Sequence, residues 1–295
     1  MNNTNSIRYN QPRVLTMQDI SCMGRCSLTV ALPILSAAGI ETSILPTAIL
    51  STHTGNFTGY TFRDLTDDIG GIISHWDDLG ATFDAVYTGY LGSERQLAIA
   101  GDIFDKYKAS GALIVVDPVM GDDGRMYAGF SDDFPRGMAG LCAKADIIVP
   151  NLTEAAFLLG EPYIGAVYDE SYIEGILHRL HGLGADKIVL TGVSFDHGNR
   201  EGAYPKIGAA CLEDGEVSYC LAERFPGVFH GTGDIFASIL LAVYVTTGNL
   251  KKAAAAAAEL TAECIHVTLD DGVPEDMRHY GVHFEKVLPK MGEFR

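Results

Sequence analysis

Six short runs rich in β-branched and other apolar residues recur along this chain, at 14–17, 44–50, 85–88, 113–116, 147–149 and 188–190. Between them lie longer stretches with helical spacing, among them 65–79, 94–108 and 172–183. A strand that is apolar throughout must be covered on both faces, and parallel neighbours need a connection long enough to hold a helix. The pattern therefore predicts an α/β fold, a mostly parallel central sheet with helices on both faces. Ligands of such folds lie beyond the carboxyl ends of the strands, so the polar residues closing each run carry the functional information. Toward the end, 207–212 and 216–221 flank Glu213-Asp214-Gly215 and read as a hairpin. Asn249 then reads as the cap of a helix built on the alanines 253–258.

The 295 residues, 47% of them hydrophobic, supply a large core, and no linker, repeat or composition break divides them. One domain over 14–295 is expected, preceded by a flexible, Asn-rich polar tail at 1–13. No charge-free apolar run reaches the ~18 residues of a spanning helix, and the start lacks the basic and apolar regions of a secretory signal, so a cytoplasmic protein is expected. The six cysteines are dispersed without paired C-x-x-C spacing, which excludes a disulfide frame. Cys22 and Cys26 read either as a metal or redox pair or as ordinary reduced thiols. A net charge of −17 excludes nucleic-acid and anionic-membrane partners. A bound nucleotide would have to be captured by local N–H groups and a divalent cation.

Gly231-Thr232-Gly233-Asp234, followed by the apolar run 235–245, fits that requirement. Two glycines permit a tight turn with consecutive N–H groups exposed, and a helix starting there adds its positive end. A carboxylate in the first turn would be placed to take a proton from an attacking hydroxyl. The same four residues also read as a loop ending in an Asp N-cap. Asp117 closes the run 113–116 and is held extended by Pro118, so it is either a Mg²⁺ ligand or a turn Asp. Asn151 closes 147–149 and leads through Leu152-Thr153-Glu154 into an apolar helix. Asn151 and Glu154 could orient phosphate and Mg²⁺, while Thr153 could cap the helix with Glu154 at its positive end. Thr191-Gly192 reads as a small-residue turn after 188–190. In the N-terminal third, Gln18-Asp19 follows the first strand, Gly24 marks a loop, and Ser51-Thr52-His53-Thr54-Gly55 ends the second strand, with His53 either structural or chemical.

In this order and spacing the motifs resemble the ribokinase superfamily, and within it the vitamin B6 kinases. The resemblance rests on Ser51-Thr52-His53-Thr54-Gly55, Asp117-Pro118-Val119-Met120-Gly121-Asp122 with Gly124-Arg125-Met126-Tyr127, Pro150-Asn151-Leu152-Thr153-Glu154 and Gly231-Thr232-Gly233-Asp234, and it spans most of the chain. It implies a ribokinase-like fold and ATP-dependent phosphorylation of the 5′-hydroxymethyl group of pyridoxal, pyridoxamine and pyridoxine. It also implies Asp234 as general base and the N–H groups of Gly231, Thr232 and Gly233 as anion hole. Asp117 and Glu154 would hold Mg²⁺, and Asn151, Glu154, Thr191, Gly192, Tyr127, Val228 and Phe229 would lie along ATP. Gln18, Asp19, His53 and Thr54 would contact the pyridine ring. A homodimer is implied as well, and a monovalent cation is left open.

Two departures stand out. Where B6 kinases typically carry Gln-Ser-His, this chain has Gln18-Asp19-Ile20, and Ser27-Leu28 replaces the usual Gly-Asn. The Asp19 charge would favour the cationic amine of pyridoxamine, or accept a bond from a ring hydroxyl or pyridinium. The rival reading is a hydroxymethylpyrimidine kinase of the same superfamily, whose glycine motif usually ends in Cys rather than Asp. A non-catalytic vitamer or nucleotide sensor is the third reading, and it is disfavoured by the presence of Asp117, Glu154 and Asp234.

Overall fold

Strand and helix alternate through the first half of the computed structural model, which describes residues 11–165, 167–195 and 205–294. The elements are β1 (Arg13–Ser21), α1 (Leu28–Ala37), β2 (Glu41–Leu50), the short β3 (Phe62–Asp64), α2 (Thr66–Asp78), β4 (Ala85–Thr88), α3 (Glu94–Lys108) and β5 (Leu113–Val116). A small hairpin, β6 (Gly121–Asp122) and β7 (Arg125–Met126), precedes α4 (Phe134–Cys142), β8 (Ile147–Ile148), α5 (Leu152–Leu159), α6 (Glu170–His181) and β9 (Lys187–Val193). A second hairpin, β10 (Lys206–Glu213) and β11 (Glu216–Glu223), leads to α7 (Thr232–Thr247), α8 (Leu250–Asp270) and a short α9 (Leu288–Met291).

One nine-stranded sheet runs β11-β10-β9-β8-β5-β4-β1-β2-β3. The six central strands from β9 to β2 are parallel, with antiparallel β10 and β11 at one edge and antiparallel β3 at the other. Successive strand residues enter opposite cores, as the pleat requires. Val14, Ala85, Val115, Ile147 and Val189 meet α1, α7 and α8 on one face, while Leu15, Val86, Ile114, Ile148 and Ile188 meet α2 to α6 on the other. The strand order reverses between β1 and β4, which opens a crevice at their carboxyl ends. Among the described residues no helix is long and apolar enough to cross a membrane.

The expected hairpin forms with Asp214 and Gly215 both at positive φ, the geometry a two-residue turn needs. Asn249 caps α8, its side chain accepting from the Lys252 N–H at 2.8 Å. Most of the expected tail lies outside the described residues. Arg13 nevertheless belongs to β1, its N–H donating to Asp84 Oδ2 at 2.7 Å and its guanidinium to Glu41 Oε1 at 3.1 Å. Two strand ends run further than expected. β1 pairs with β4 only over Val14 to Met17 but continues along β2 to Ser21, so Gln18 and Asp19 lie inside the strand rather than after it. β9 continues through Thr191 and Gly192 because antiparallel β10 keeps pairing with it. The expected turn there is a bulge, with Gly192 at φ 74° between the paired Thr191 and Val193.

Candidate active site

The N-terminus of α7 projects into the crevice. Its N-cap is Gly231, not Asp234, so Asp234 lies within the first turn. Gly231 is demanded by the fold: its φ is 77°, and a Cβ there would fall 2.1 Å from the Arg25 carbonyl oxygen. The N-cap supplies no side-chain hydrogen bond, so the first N–H groups of the helix are left without the usual capping partner. A Cβ at Gly233, by contrast, would meet nothing within 4 Å. Burial pushes the Asp234 carboxyl up to about 6, against opposing hydrogen bonds from the Cys26 thiol and the Ser27 N–H, and Asp19 adds to the rise. A carboxyl in that range is ionised at neutral pH and still basic enough to accept a proton.

Two further buried acids are Asp117, within electrostatic reach of Asp234, and Glu154, in the first turn of α5. Asp117 follows β5, its N–H donating to the Thr88 carbonyl at 2.9 Å. Its carboxyl is held well above the usual range by burial, then by Glu154 and Asp234. Glu154 accepts from the Met120 N–H at 3.1 Å and the Asn151 N–H at 2.8 Å, and burial pushes it to about 8 despite those donors. Asp122 adds to the rise of Glu154, and carboxyls crowded in this way suit a divalent cation. Among the described residues no three His, Cys, Asp or Glu side chains are grouped to hold a metal alone. A hard cation beside this pair would complete its shell with phosphate oxygens and water.

Asn151, not Thr153, caps α5 in a reciprocal capping box with Glu154. Asn151 Nδ2 also donates to the Gly121 carbonyl at 2.9 Å, and Thr153 Oγ1 accepts from the Gly124 N–H at 2.9 Å, so both brace the β6–β7 hairpin. A Cβ on Gly121 would strike the Arg125 carbonyl oxygen at 2.5 Å, which keeps the hairpin tight. Beside it Tyr127, 42% exposed, donates its N–H to the Met120 carbonyl at 2.9 Å and lies within electrostatic reach of Glu154, Asp122, Asp234 and Asp117. Thr191 is tied to the Pro150 carbonyl by its N–H at 2.8 Å, and Gly192 beside it is open. Val228 is 72% exposed, and Phe229 lies under the Arg278 guanidinium, 5.1 Å from its ring centre.

On the β1 side, Gln18 is fully buried. Its Nε2 donates to Thr16 Oγ1 at 2.9 Å, while its Oε1 is buried without a hydrogen-bond partner among the described residues. Asp19 is buried too, accepts from Ser21 Oγ at 3.0 Å, and is raised chiefly by burial. His53 Nδ1 accepts from the Gly55 N–H at 3.1 Å, so its Nε2 is the donor to the His279 carbonyl at 2.7 Å. Burial holds its pKa down, and the neutral ring ties the loop after β2 to the C-terminal segment. Thr54 is exposed beside it. His230, Phe57 and Tyr280 extend this aromatic cluster, which the sequence reading did not foresee.

The sequence suggests Cys22 as the neighbour of Cys26. Its actual neighbour is Asp234: Sγ donates to Oδ2 at 3.2 Å. Cys22 is exposed, and both cysteines are free thiols.

Three comparisons bear on this geometry. A family model described as phosphomethylpyrimidine kinase matches residues 72–277. The pyridoxal kinase of Sus scrofa is 29% identical over 281 residues, covering 87% of this chain and 81% of its own. Among solved structures, a Bacteroides thetaiotaomicron protein described as a phosphomethylpyrimidine kinase, crystallised with pyridoxal, superposes with a TM-score of 0.86 at 36% identity, over 95% of this chain and 96% of its own. The pyridoxal kinase of Lactobacillus plantarum superposes with a TM-score of 0.83 at 32% identity, with the same coverages.

Proposed function

The chain belongs to the phosphomethylpyrimidine kinase family, and from that premise we propose that it is an ATP-dependent kinase of vitamin B6 vitamers, phosphorylating their 5′-hydroxymethyl group. The observation that carries this reading is the placement of Asp234 in the first turn of α7, at a helix start with no side-chain cap, and within electrostatic reach of Asp117, which is itself raised by Glu154. Asp234 takes the proton from the vitamer hydroxyl as it attacks. The N–H groups of Gly231, Thr232 and Gly233 hold the oxygens of the transferred group, donors placed where charge develops. Asp117 and Glu154 would hold Mg²⁺, which would supply charge neutralisation on the phosphates. Asn151, Tyr127, Thr191, Gly192, Val228 and Phe229 border the nucleotide, and Gln18, Asp19, His53 and Thr54 border the ring. A cytoplasmic homodimer completes the reading, supported by the resemblance and the free thiols.

A second reading has a specific observation behind it, because the matching family model and the Bacteroides relative both carry the pyrimidine description. The pyridoxal held by that relative, and the names of the curated relatives, favour the B6 reading. The deciding experiment offers Mg-ATP with equimolar pyridoxal, pyridoxamine, pyridoxine and hydroxymethylpyrimidine, with products read by mass spectrometry and Asp234→Asn as control. Phosphate on a B6 vitamer, lost in the control by ~10²–10⁴-fold, is the expected result. Phosphate on the pyrimidine alone moves the protein to the second reading. A pyridoxamine preference that disappears in Asp19→Ser would assign it to the Asp19 charge, whereas an unchanged vitamer ratio removes that role.

A further inference from the structure

We propose that Cys26 is a positioning residue for phosphoryl transfer: its thiol holds Oδ2 of Asp234, leaving the other carboxylate oxygen to face the substrate hydroxyl. The inference rests on the reading of Asp234 as base. The 3.2 Å contact links residues from opposite ends of the chain, one in the loop before α1 and one in the first turn of α7. The thiol is kept protonated by burial, then by the negative charges of Asp234 and Asp19, so it stays a donor and is a poor nucleophile toward a substrate aldehyde.

The backbone around Cys26 is shaped for this contact. Ser27 stands at φ 53° and ψ −130°, a region that residues with a Cβ rarely enter, and its N–H is the second donor to Asp234. Strain of that kind persists only where the surroundings impose it, and here they do. The Arg25 carbonyl fills the space left by the absent side chain of Gly231. The Arg25 N–H donates to the Tyr280 carbonyl at 2.8 Å, and its Nε to Glu285 Oε1 at 2.7 Å. Thr29 Oγ1 donates to the Cys26 carbonyl at 2.8 Å. The backbone that carries the thiol is thus held on both sides, which keeps Cys26 beside the first turn of α7.

The test compares Cys26→Ala, Cys26→Ser and Asp234→Asn for kcat, KM and the pH profile of kcat/KM. Loss of a hydrogen bond to a charged group should lower kcat about tenfold in Cys26→Ala and leave the KM for ATP near wild type. The acid limb should move to higher pH, because the carboxylate has lost a donor. The other groups acting on Asp234 are Asp19 of β1, Asp117 after β5, Tyr87 of β4 and Tyr127 of the hairpin, all unchanged in these variants. Cys26→Ser keeps a donor and should recover most of the rate and of the limb. Should Cys26→Ala not fold, Cys26→Val, also without a donor, carries the same expectation. Wild-type kcat and limb in Cys26→Ala overturn the proposal, as do equal losses in Ala and Ser variants with the limb unmoved. An Asp234→Asn variant at full rate defeats the reading of the base instead. An inactive Asp234→Asn beside a normal Cys26→Ala defeats the role of Cys26 alone.

Discussion

Gly233 and Gly231 are two residues apart in one motif, yet they should answer to alanine in opposite ways. Gly233 has nothing within 4 Å of a built Cβ and no positive φ, so the fold does not need a glycine there. Alanine exceeds glycine in a helix by up to about 1 kcal/mol, less in the first turn, so Gly233→Ala should raise Tm by roughly 1–3 °C in a chain of this size. The same methyl should damage catalysis. Cα–Cβ bonds tilt toward the helix N-terminus, so it leans into the space that the first-turn N–H groups face. Displacing the transferred group from one charge-assisted hydrogen bond corresponds to about a 10- to 100-fold loss in kcat/KM. Differential scanning fluorimetry and a coupled ADP-release assay read the two effects separately. Gly231→Ala should instead destabilise, because alanine at φ 77° costs about 1–2 kcal/mol before its clash with the Arg25 carbonyl is counted. A Gly233→Ala enzyme with wild-type kcat/KM would refute the argument that the vacant side-chain position is kept for phosphate.

Three further predictions follow from the buried titratable groups. Asp234 lies at about 6 in the fold against 3.8 ordinarily, so its contribution to stability is fully present below about pH 4 and is lost as pH rises through 6, a swing of about 3 kcal/mol. Asp234→Asn should therefore melt above wild type at pH 8 and near it at pH 4, and a gap that does not change with pH would contradict this. Glu154→Gln keeps an acceptor for the capping box but loses charge, so the Mg²⁺ concentration giving half-maximal rate should rise at least ~10-fold. A Mg²⁺ curve superimposed on wild type would remove Glu154 from the cation site. His53→Ala strands the Gly55 N–H and the His279 carbonyl, which should cost about 1–3 kcal/mol and raise the vitamer KM more than the ATP KM. Equal changes in both KM values would make the loop irrelevant to the vitamer side.

The framework was legible because strand and helix periods are local signals. The runs 113–116 and 85–88 are strands with the expected bounds, and 94–108 is a helix end to end. The strand ends were less so. Gln18 and Asp19 read as loop because they are polar, but their backbone stays paired to β2 after β4 has stopped, and no composition rule reports which neighbour outlasts which. Gly192 reads as a turn because it is small, and pairing with a later strand makes it a bulge. Side-chain function divides along the same line. Asn151 and Glu154 are three residues apart, so their capping box is a local signal that the sequence carries. The contact of Cys26 with Asp234 spans 208 positions and carries no local mark. What the chain did carry was the cost of such contacts: a glycine at 231 where only glycine clears the Arg25 carbonyl, and a Ser27 whose side chain makes its backbone conformation costly. Asp19, Asp117, Glu154 and Asp234 add a second long-range cost, since each is raised by burial and the last three are coupled by charge. Asp117 is raised by burial, by Glu154 and by Asp234, and it is the pairing of β5 with β8 that brings two acids read separately along the chain close enough for one to raise the other.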